Sequence, residues 1–290
     1  MSGAAFPAQE QAVRPVPRRR TPSGGRVLLT IGLLMLGAMV VLTLLAPWIV
    51  PYDPSAPSPD SLAPPGARHW LGTDLIGRDV LSRLVVGGRT TLAITGSAVL
   101  LALAAGLSLG LAAGYLGGVV DEVIMRALDV VFAFPVFLLA VTVVAALGPT
   151  VPNLVLTIAV VYTPAMARVA RGPVLSVKQW DHVEAARCIG VREWRIVTRH
   201  VLPMVVSPVV VATSLTLAHT IFTVTALSFL GLGPPPPDPN WGGMLAESRQ
   251  FMELAPMTVI GPAVAIVAAT LTFILIANGL REVLDVAGGR

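Results

Sequence analysis

Residues 91–115 read TLAITGSAVLLALAAGLSLGLAAGY, an apolar run without a single charged side chain. A helix needs about 20 residues to cross a hydrocarbon layer of about 30 Å, so this stretch is long enough to span a membrane. The whole chain agrees, because 54% of its 290 residues are hydrophobic and 12% are charged, whereas soluble domains carry about 25% charged residues. The sequence therefore predicts an integral membrane protein.

Five further apolar runs accompany this stretch, at residues 27–50, 130–147, 154–167, 204–230 and 259–280. The first follows a basic segment, as a signal peptide does, but it is longer than a signal core and lacks a clear small-residue cleavage site, which favours a retained span. Pro135 predicts a kink in the third span. Asp129, near the start of the same span, is expected to cap the helix or to face the cytoplasm. Pro164 interrupts the fourth run and Arg168 follows it, so that boundary can shift. We expect an all-α protein with six transmembrane helices.

These runs divide the chain into four segments. Residues 1–26 form a basic tail that cannot bury a core and is expected to be disordered; residues 27–50 form the first transmembrane helix. Residues 51–89 form an extracytoplasmic segment with a short interfacial helix, in which Val80, Leu81, Leu84 and Val85 share an apolar face and Asp79 pairs with Arg83. Residues 90–285 form a five-helix domain with a long inner loop at about 168–203.

The basic residues predict the orientation. With the N-terminus inside, fifteen of the 20 Lys and Arg residues fall on inner segments and five on outer ones. This imbalance follows the positive-inside rule, and six spans place both termini in the cytoplasm. The net charge of +4 therefore reflects membrane topology, and no nucleic-acid partner is expected.

Residue patterns for catalysis and metal binding are missing from the sequence. The single lysine, Lys178, follows Ser176 and Val177, without the glycine that a phosphate-binding loop requires, so we expect no ATP site. Neither Cys188 nor the four histidines have metal-ligand spacing, and no nucleophile and base form a recognisable cluster. His219 is expected to pack as a neutral, hydrogen-bonded residue without a role. The sequence predicts no enzyme, metal site or bound cofactor.

The inner loop, residues 168–203, reads RVARGPVLSVKQWDHVEAARCIGVREWRIVTRHVLP. Residues 180–187 favour a helix, and Gly190 can end it in a left-handed conformation. Residues 193–201 resume a helical pattern, and Pro203 marks the entry into the fifth span. The pattern predicts a compact helix, turn and helix on the cytoplasmic face.

The order Glu184-Ala185-Ala186, then Gly190, then Leu202-Pro203 resembles the EAA loop of permease subunits of binding-protein-dependent ABC importers. His200 stands where the general pattern has an aliphatic residue, as is frequent in the peptide branch. The resemblance implies that Glu184, Ala185, Ala186, Gly190, Leu202 and Pro203 couple the chain to an ATPase. It also implies the fold of a type I ABC importer transmembrane domain.

Residues 69–83, 228–245 and 278–282 are similar to segments of dipeptide, oligopeptide and nickel permeases, in the branch of the second, or C-type, permease. The resemblance implies a second, nonidentical permease, two cytoplasmic ATPase subunits that use ATP, and an extracytoplasmic solute-binding protein. It implies the bacterial inner membrane and transport of peptides or related solutes such as nickel chelates. Residues 234–237 are prolines, which favour a stiff outer loop that contacts the binding protein or forms a membrane-surface turn.

Two stripes of small or polar residues complete the pattern. Gly106, Gly110, Gly114 and Gly118 recur every fourth residue and permit close helix packing, within the chain or against a partner. Thr213, Thr216, Thr220 and Thr223 line one face of the fifth span, either along a solute pathway or in hydrogen bonds within the protein.

The predicted function is a permease subunit that forms half of an ATP-driven import pathway. A secondary carrier or channel acting alone is the first alternative. It is disfavoured because the six runs lack a mid-span Asp, Glu, Lys or Arg. A membrane anchor or signalling component without a transport role is the second.

Overall fold

The computed structural model describes residues 23–288, with side chains from residue 24 to residue 284. This range contains eleven α-helices and no strand beyond one isolated bridge. The helices are α1 (Ser23–Leu44), α2 (Ala46–Ile49), α3 (Val80–Leu116), α4 (Gly118–Phe132), α5 (Val136–Leu147), α6 (Val151–Val177), α7 (Asp181–Cys188), α8 (Glu193–Ile196), α9 (Leu202–Phe229), α10 (Trp241–Ser248) and α11 (Met257–Gly288). A π-helical turn, Val197–Val201, joins α8 to α9.

Five helices of the described range are long and apolar enough to cross a membrane: α1, α3, α6, the continuous Glu193–Phe229 helix and α11. Helices α4 and α5 meet at an angle of 82° and together form a sixth, broken span. Helix α5 alone, with 12 residues, is only about 18 Å long, too short to cross a 30 Å layer. The prediction of an all-helical protein with six spans is confirmed if this broken pair counts as one span.

The break in the third span lies at the predicted proline. Pro135 precedes α5, and α4 extends back to Gly118, so the span begins twelve residues earlier than predicted. Helix α4 is tied to α6 by two ion pairs: Arg171 binds both carboxylate oxygens of Asp121 at 2.5–2.6 Å, and Arg168 binds Asp129 at 2.6 Å. Asp129 therefore serves as an ion-pair partner, and its side chain is not a helix cap.

The first span begins earlier and ends earlier than predicted. Residues 1–22 of the predicted tail lie outside the described residues, while α1 begins at Ser23 and ends at Leu44. The chain bends at Leu45, and Pro47 lies in the first turn of the short helix α2. Helix α1 packs closely on α11, because a Cβ on Gly279 would lie 2.5 Å from the backbone nitrogen of Leu29.

The predicted interfacial helix at residues 80–85 is wrong, because these residues form the first turns of the 37-residue helix α3. The predicted pair of Asp79 with Arg83 is wrong as well. The Asp79 carboxylate caps α3 by accepting from the Ser82 backbone N–H at 2.8 Å, and it lies 2.9 Å from His69 Nδ1. The Arg83 guanidinium instead bonds Glu247 at 2.9 Å.

The close contact between α3 and α6 explains why glycine occupies three of the four positions of the predicted stripe. A Cβ on Gly106 would lie 2.4 Å from Met166 Cβ, one on Gly110 would lie 2.4 Å from the Ala167 carbonyl oxygen, and one on Gly114 would lie 2.8 Å from Val174 Cβ. The prediction that Gly118 belongs to the same packing stripe is wrong. Gly118 is the first residue of α4, has a positive φ and faces open space. Helix α6 also continues ten residues past Ala167, because Pro164 and Pro173 are accommodated inside it.

Helix α9 lies at the centre of the bundle. Its residues belong to all three buried apolar clusters: Val205 and Val209 to the first, Ala218 and Ile221 to the second, Val224 and Leu227 to the third. These clusters join it to α6 at one end, to α11 in the middle and to α3, α5 and α6 at the other end. A movement of α9 therefore changes the packing of the whole bundle.

We predict that Gly110→Ala destabilises the folded protein by about 1–3 kcal/mol, because the new methyl group overlaps the α6 backbone. The matched control is Gly96→Ala on the same helix, where a Cβ meets nothing within 4 Å. The control should be neutral or slightly stabilising, since alanine favours helix over glycine. Thermal unfolding of both variants in detergent measures the difference, and equal transition temperatures would contradict the glycine contact.

Candidate functional site

The segment between the ends of two spans forms a compact elbow, which we define as residues 178–196. Helix α6 ends at Val177, and Lys178 Nζ donates a 2.7 Å hydrogen bond to the carbonyl oxygen of Gly114 at the end of α3. Helix α7 then crosses the end of the bundle, and α8 leads back into it. The elbow is therefore shorter than the predicted loop of 168–203, because both flanking helices extend into that range.

Gly190 makes the turn between α7 and α8. Its φ is +77°, in the left-handed region that favours glycine. The Gly190 N–H donates to the Arg187 carbonyl at 3.0 Å, and the Val191 N–H donates to the Ala186 carbonyl at 3.1 Å. This pair of bonds is a Schellman motif, which satisfies the last carbonyls of a helix while the chain reverses. The predicted role of Gly190 as a helix terminator is therefore seen in the backbone.

The inner face of the elbow is fixed to two spans. Val183, Ala186 and Ile196 are buried in one cluster with Val174 of α6 and Val205 of α9. A fully buried apolar side chain contributes about 1.5–3 kcal/mol. The elbow is thus a packed part of the bundle and not a free loop.

The outer face of the elbow is exposed and partly apolar. Glu184 and Ala185 are exposed on α7, with Ile189 81% exposed and Trp194 59% exposed beside them. Apolar side chains grouped with a charged residue on a protein surface are typical of a docking site. The predicted residues Glu184 and Ala185 therefore face outward, while Ala186 faces the core.

A polar cluster links the elbow to α3. The Tyr115 hydroxyl donates to the carboxylate of Glu193 and accepts a 3.2 Å hydrogen bond from Arg187, whose Nε lies 3.3 Å from Glu193 Oε1. The hydrogen bond to Tyr115 is the main cause that raises the pKa of Arg187 above its ordinary value. Sequence reasoning missed this cluster, because 72 residues separate Tyr115 from Arg187.

Leu202 and Pro203 lie at the start of α9 and not on the elbow surface. Pro203 was expected to mark the entry into the span, but the helix is continuous from Glu193 to Phe229. A proline lacks the N–H that a regular helix needs, and the π-helical turn Val197–Val201 ends two residues before Pro203. Helix α8, the last part of the elbow, and α9 therefore form one continuous helix.

The four threonines of the predicted stripe on α9 lie against neighbouring elements. Thr216, Thr220 and Thr223 are buried, and the hydroxyls of Thr213, Thr216 and Thr223 each bond the carbonyl four residues earlier. Thr223 also contacts the Tyr162 hydroxyl of α6 at 2.9 Å. Within this chain the stripe packs between helices and does not line an open surface. His219 was expected to pack as a neutral, hydrogen-bonded residue. Its side chain is instead exposed and forms no hydrogen bond within residues 23–288.

The opposite end of the bundle is built around Arg83, which is buried beside α10. Its guanidinium bonds Glu247 at 2.9 Å and lies 3.7 Å from Asp74, while Arg78 bonds the same two carboxylates at 2.6 Å. Trp241 Nε1 donates to the Leu84 carbonyl at 2.9 Å. These contacts fix the segment before α3 and helix α10 into one unit. Residues 235–238, in the loop before α10, are exposed.

Comparison with known proteins decides the family. Residues 106–287, more than half of the chain, match the family of binding-protein-dependent transport system inner membrane components. The chain belongs to this family. Its members are permeases of ABC importers, so the protein is a transport subunit of a membrane complex and not an enzyme.

Curated relatives of this permease share its sequence over most of their length. The glutathione transport system permease protein GsiD of Escherichia coli is 44% identical over 249 residues, which is 85% of this chain and 82% of the relative. The GsiD protein of Pectobacterium atrosepticum is 45% identical over 221 residues, 76% of this chain and 73% of the relative. The dipeptide transport system permease protein DppC of Alkalihalophilus pseudofirmus is 39% identical over 256 residues, 88% of this chain and 84% of the relative.

A solved structure shows the same fold. A chain of the inward-facing MetNI methionine ABC transporter superposes with a TM-score of 0.56 at 20% identity, over 70% of this permease and 96% of that chain. The expected fold of a type I ABC importer transmembrane domain is confirmed. At this identity the likeness concerns the fold alone.

We predict that Tyr115→Phe loosens the elbow, because it removes the hydroxyl between Arg187 and Glu193. Hydrogen exchange of the backbone amides in α7 and α8 should become several-fold faster, as expected for the loss of about 1 kcal/mol of hydrogen bonding. The matched control is Tyr52→Phe, which removes a hydroxyl that donates to the Arg68 carbonyl, away from the elbow. Unchanged exchange in α7 and α8 would show that the polar cluster does not anchor the elbow.

Proposed function

We propose that this permease imports peptides and forms one half of the translocation pathway, together with a second, nonidentical permease. Two ATPase subunits on the cytoplasmic side hydrolyse ATP, and an extracytoplasmic binding protein delivers the solute. The relatives support the substrate class, because GsiD is named for glutathione and DppC for dipeptides. Nickel chelates, which the sequence left open, receive no support from these names.

The observation that carries this proposal is the continuity of the elbow with the spans. The exposed surface of Glu184, Ala185 and Ile189 lies directly opposite a buried face that packs on α6 and α9. A force applied to this surface is transmitted to α6 and α9, because close-packed protein interiors have low compressibility. Residues of α9 belong to all three buried apolar clusters. A shift of the elbow therefore tilts the helices of the bundle, and the pathway changes between inward-open and outward-open states.

The proposed orientation places the elbow in the cytoplasm. Most of the basic residues flank the elbow end of the bundle, as the positive-inside rule requires. Both termini then lie in the cytoplasm, and the exposed prolines 235–237 face the binding protein.

We predict that Glu184→Lys weakens binding of the ATPase subunits about tenfold, equivalent to about 1.4 kcal/mol, because it reverses the charge of the docking surface. Gly190→Val should uncouple ATP hydrolysis from uptake, because a β-branched residue at φ +77° is strained and shifts α7 relative to α8. Co-purification of the ATPase subunits measures the first effect. The ratio of ATP hydrolysed to peptide imported measures the second.

The matched control for the charge reversal is Glu253→Lys, at an exposed site in the segment between α10 and α11. It should leave ATPase binding unchanged. Wild-type binding and uptake by properly inserted Glu184→Lys protein would refute the coupling role of the elbow.

We predict that liposomes containing both permeases and the ATPase subunits take up a labelled dipeptide or glutathione only with ATP inside and the binding protein outside. Liposomes with this permease alone should take up neither solute. Uptake by the permease alone would instead identify a secondary carrier or channel. Uptake of a nickel chelate without uptake of either peptide would overturn the substrate class.

A further inference from the structure

Helix α9 has one open face that its own chain leaves uncovered. Six residues at alternating spacings of three and four lie on this face and are exposed or partly exposed: Ala212, Leu215, His219, Phe222, Ala226 and Phe229. On one side the face is bordered by the contact of Thr223 with Tyr162 of α6, and on the other by Ala218 and Ile221, which pack towards α11. From Phe222 to Phe229 it opens into an apolar groove of about 660 Å³.

His219 lies in the interior of the fifth span. It precedes Phe229 by ten residues, which places it about 15 Å from that end of α9, half the thickness of the hydrocarbon layer. A polar side chain at this depth is costly unless it meets water or a polar partner. Its position on an open face therefore requires an explanation.

The hydroxyl groups that face outward on other spans are satisfied within their own helices. The exposed residues Ser97, Ser108 and Thr142 each donate a 2.7–2.8 Å hydrogen bond to the carbonyl four residues earlier, so they can face lipid at little cost. The two ring nitrogens of His219 have no such bond within residues 23–288. The imidazole of His219 therefore needs polar surroundings that the described residues do not supply.

Resting on the proposed import function, we propose that His219 faces the water-filled pathway and binds the peptide solute as it passes. A neutral imidazole has one donor and one acceptor. A peptide group likewise offers one N–H and one carbonyl oxygen, and its carboxylates add further acceptors. The aromatic residue Phe222, one turn further along the same face, gives apolar side chains of the solute a surface to contact.

Cysteine labelling tests the placement. The chain has one cysteine, Cys188, so Cys188→Ser gives a cysteine-free parent in which His219→Cys can be made. The control is Leu34→Cys on α1, an exposed site ten residues before the helix end at Leu44, just as His219 lies ten residues before Phe229. The Thr43 end of α1 lies beside Gly88 and Trp241, at the same end of the bundle as Phe229. The assembled transporter in nanodiscs is treated with a charged, water-soluble maleimide, with and without a dipeptide and its binding protein during ATP hydrolysis.

We expect residue 219 to be labelled about ten times faster than residue 34, since the reagent needs water, and we expect the transported dipeptide to slow this labelling. Equal rates at the two positions would place His219 against lipid or a protein partner and overturn the proposal. Labelling that the dipeptide leaves unchanged would overturn the solute contact.

Uptake by two variants gives a second, independent readout. His219→Gln keeps one donor and one acceptor, and its KM should stay within about threefold of the parent, whereas His219→Leu should raise KM about tenfold, as expected for one lost hydrogen bond. Equal KM values for these variants would also overturn the solute contact. These failures remain distinct from failure of the import function, which the parent transporter reports through its own ATP-dependent uptake.

Discussion

The structure depends on the burial of Val183 and Ile196 between the ends of α6 and α9. This contact attaches a surface outside the membrane to the helix that runs through all three cores of the bundle. Without it, the elbow would be a hinged loop and could not transmit a displacement to the spans. The Schellman turn at Gly190 and the cluster of Tyr115, Arg187 and Glu193 fix the angle at which the elbow meets the bundle.

The membrane imposes the second constraint, that polar groups be satisfied within the protein. Arg168 and Arg171 lie on the extended part of α6 and are neutralised by Asp129 and Asp121 on α4. The same pairs hold the broken span of α4 and α5 against the rest of the bundle. Most hydroxyl groups on the spans donate hydrogen bonds to backbone carbonyls of their own helix. The buried hydroxyls of Thr95, Thr157, Thr220 and Ser228 have no partner within the described residues. His219 has none either, and it differs from them because it lies on an open face.

Close backbone contact provides the rigidity that the apolar surface alone would not give. Lipid is as apolar as leucine, so helices in a membrane associate through fit and through small residues at their contacts. Gly106, Gly110 and Gly114 bring α3 against α6, and Gly32 and Gly279 bring α1 against α11. Gly118 has the same spacing in the sequence, but it lies past the end of α3, where the chain turns into α4.

The sequence by itself determined the membrane class, the number of spans and the elbow with its glycine turn. These depend on local properties, namely the length of apolar runs and the backbone freedom of glycine. It could not fix where the helices end. The sequence predicted an interruption at Pro164, yet this proline lies inside the packed helix α6. Only the tertiary structure decided that Arg83 pairs with Glu247, that Thr216, Thr220 and Thr223 are buried and that His219 is exposed. Such contacts join residues far apart in the chain, and the packing of whole helices selects them.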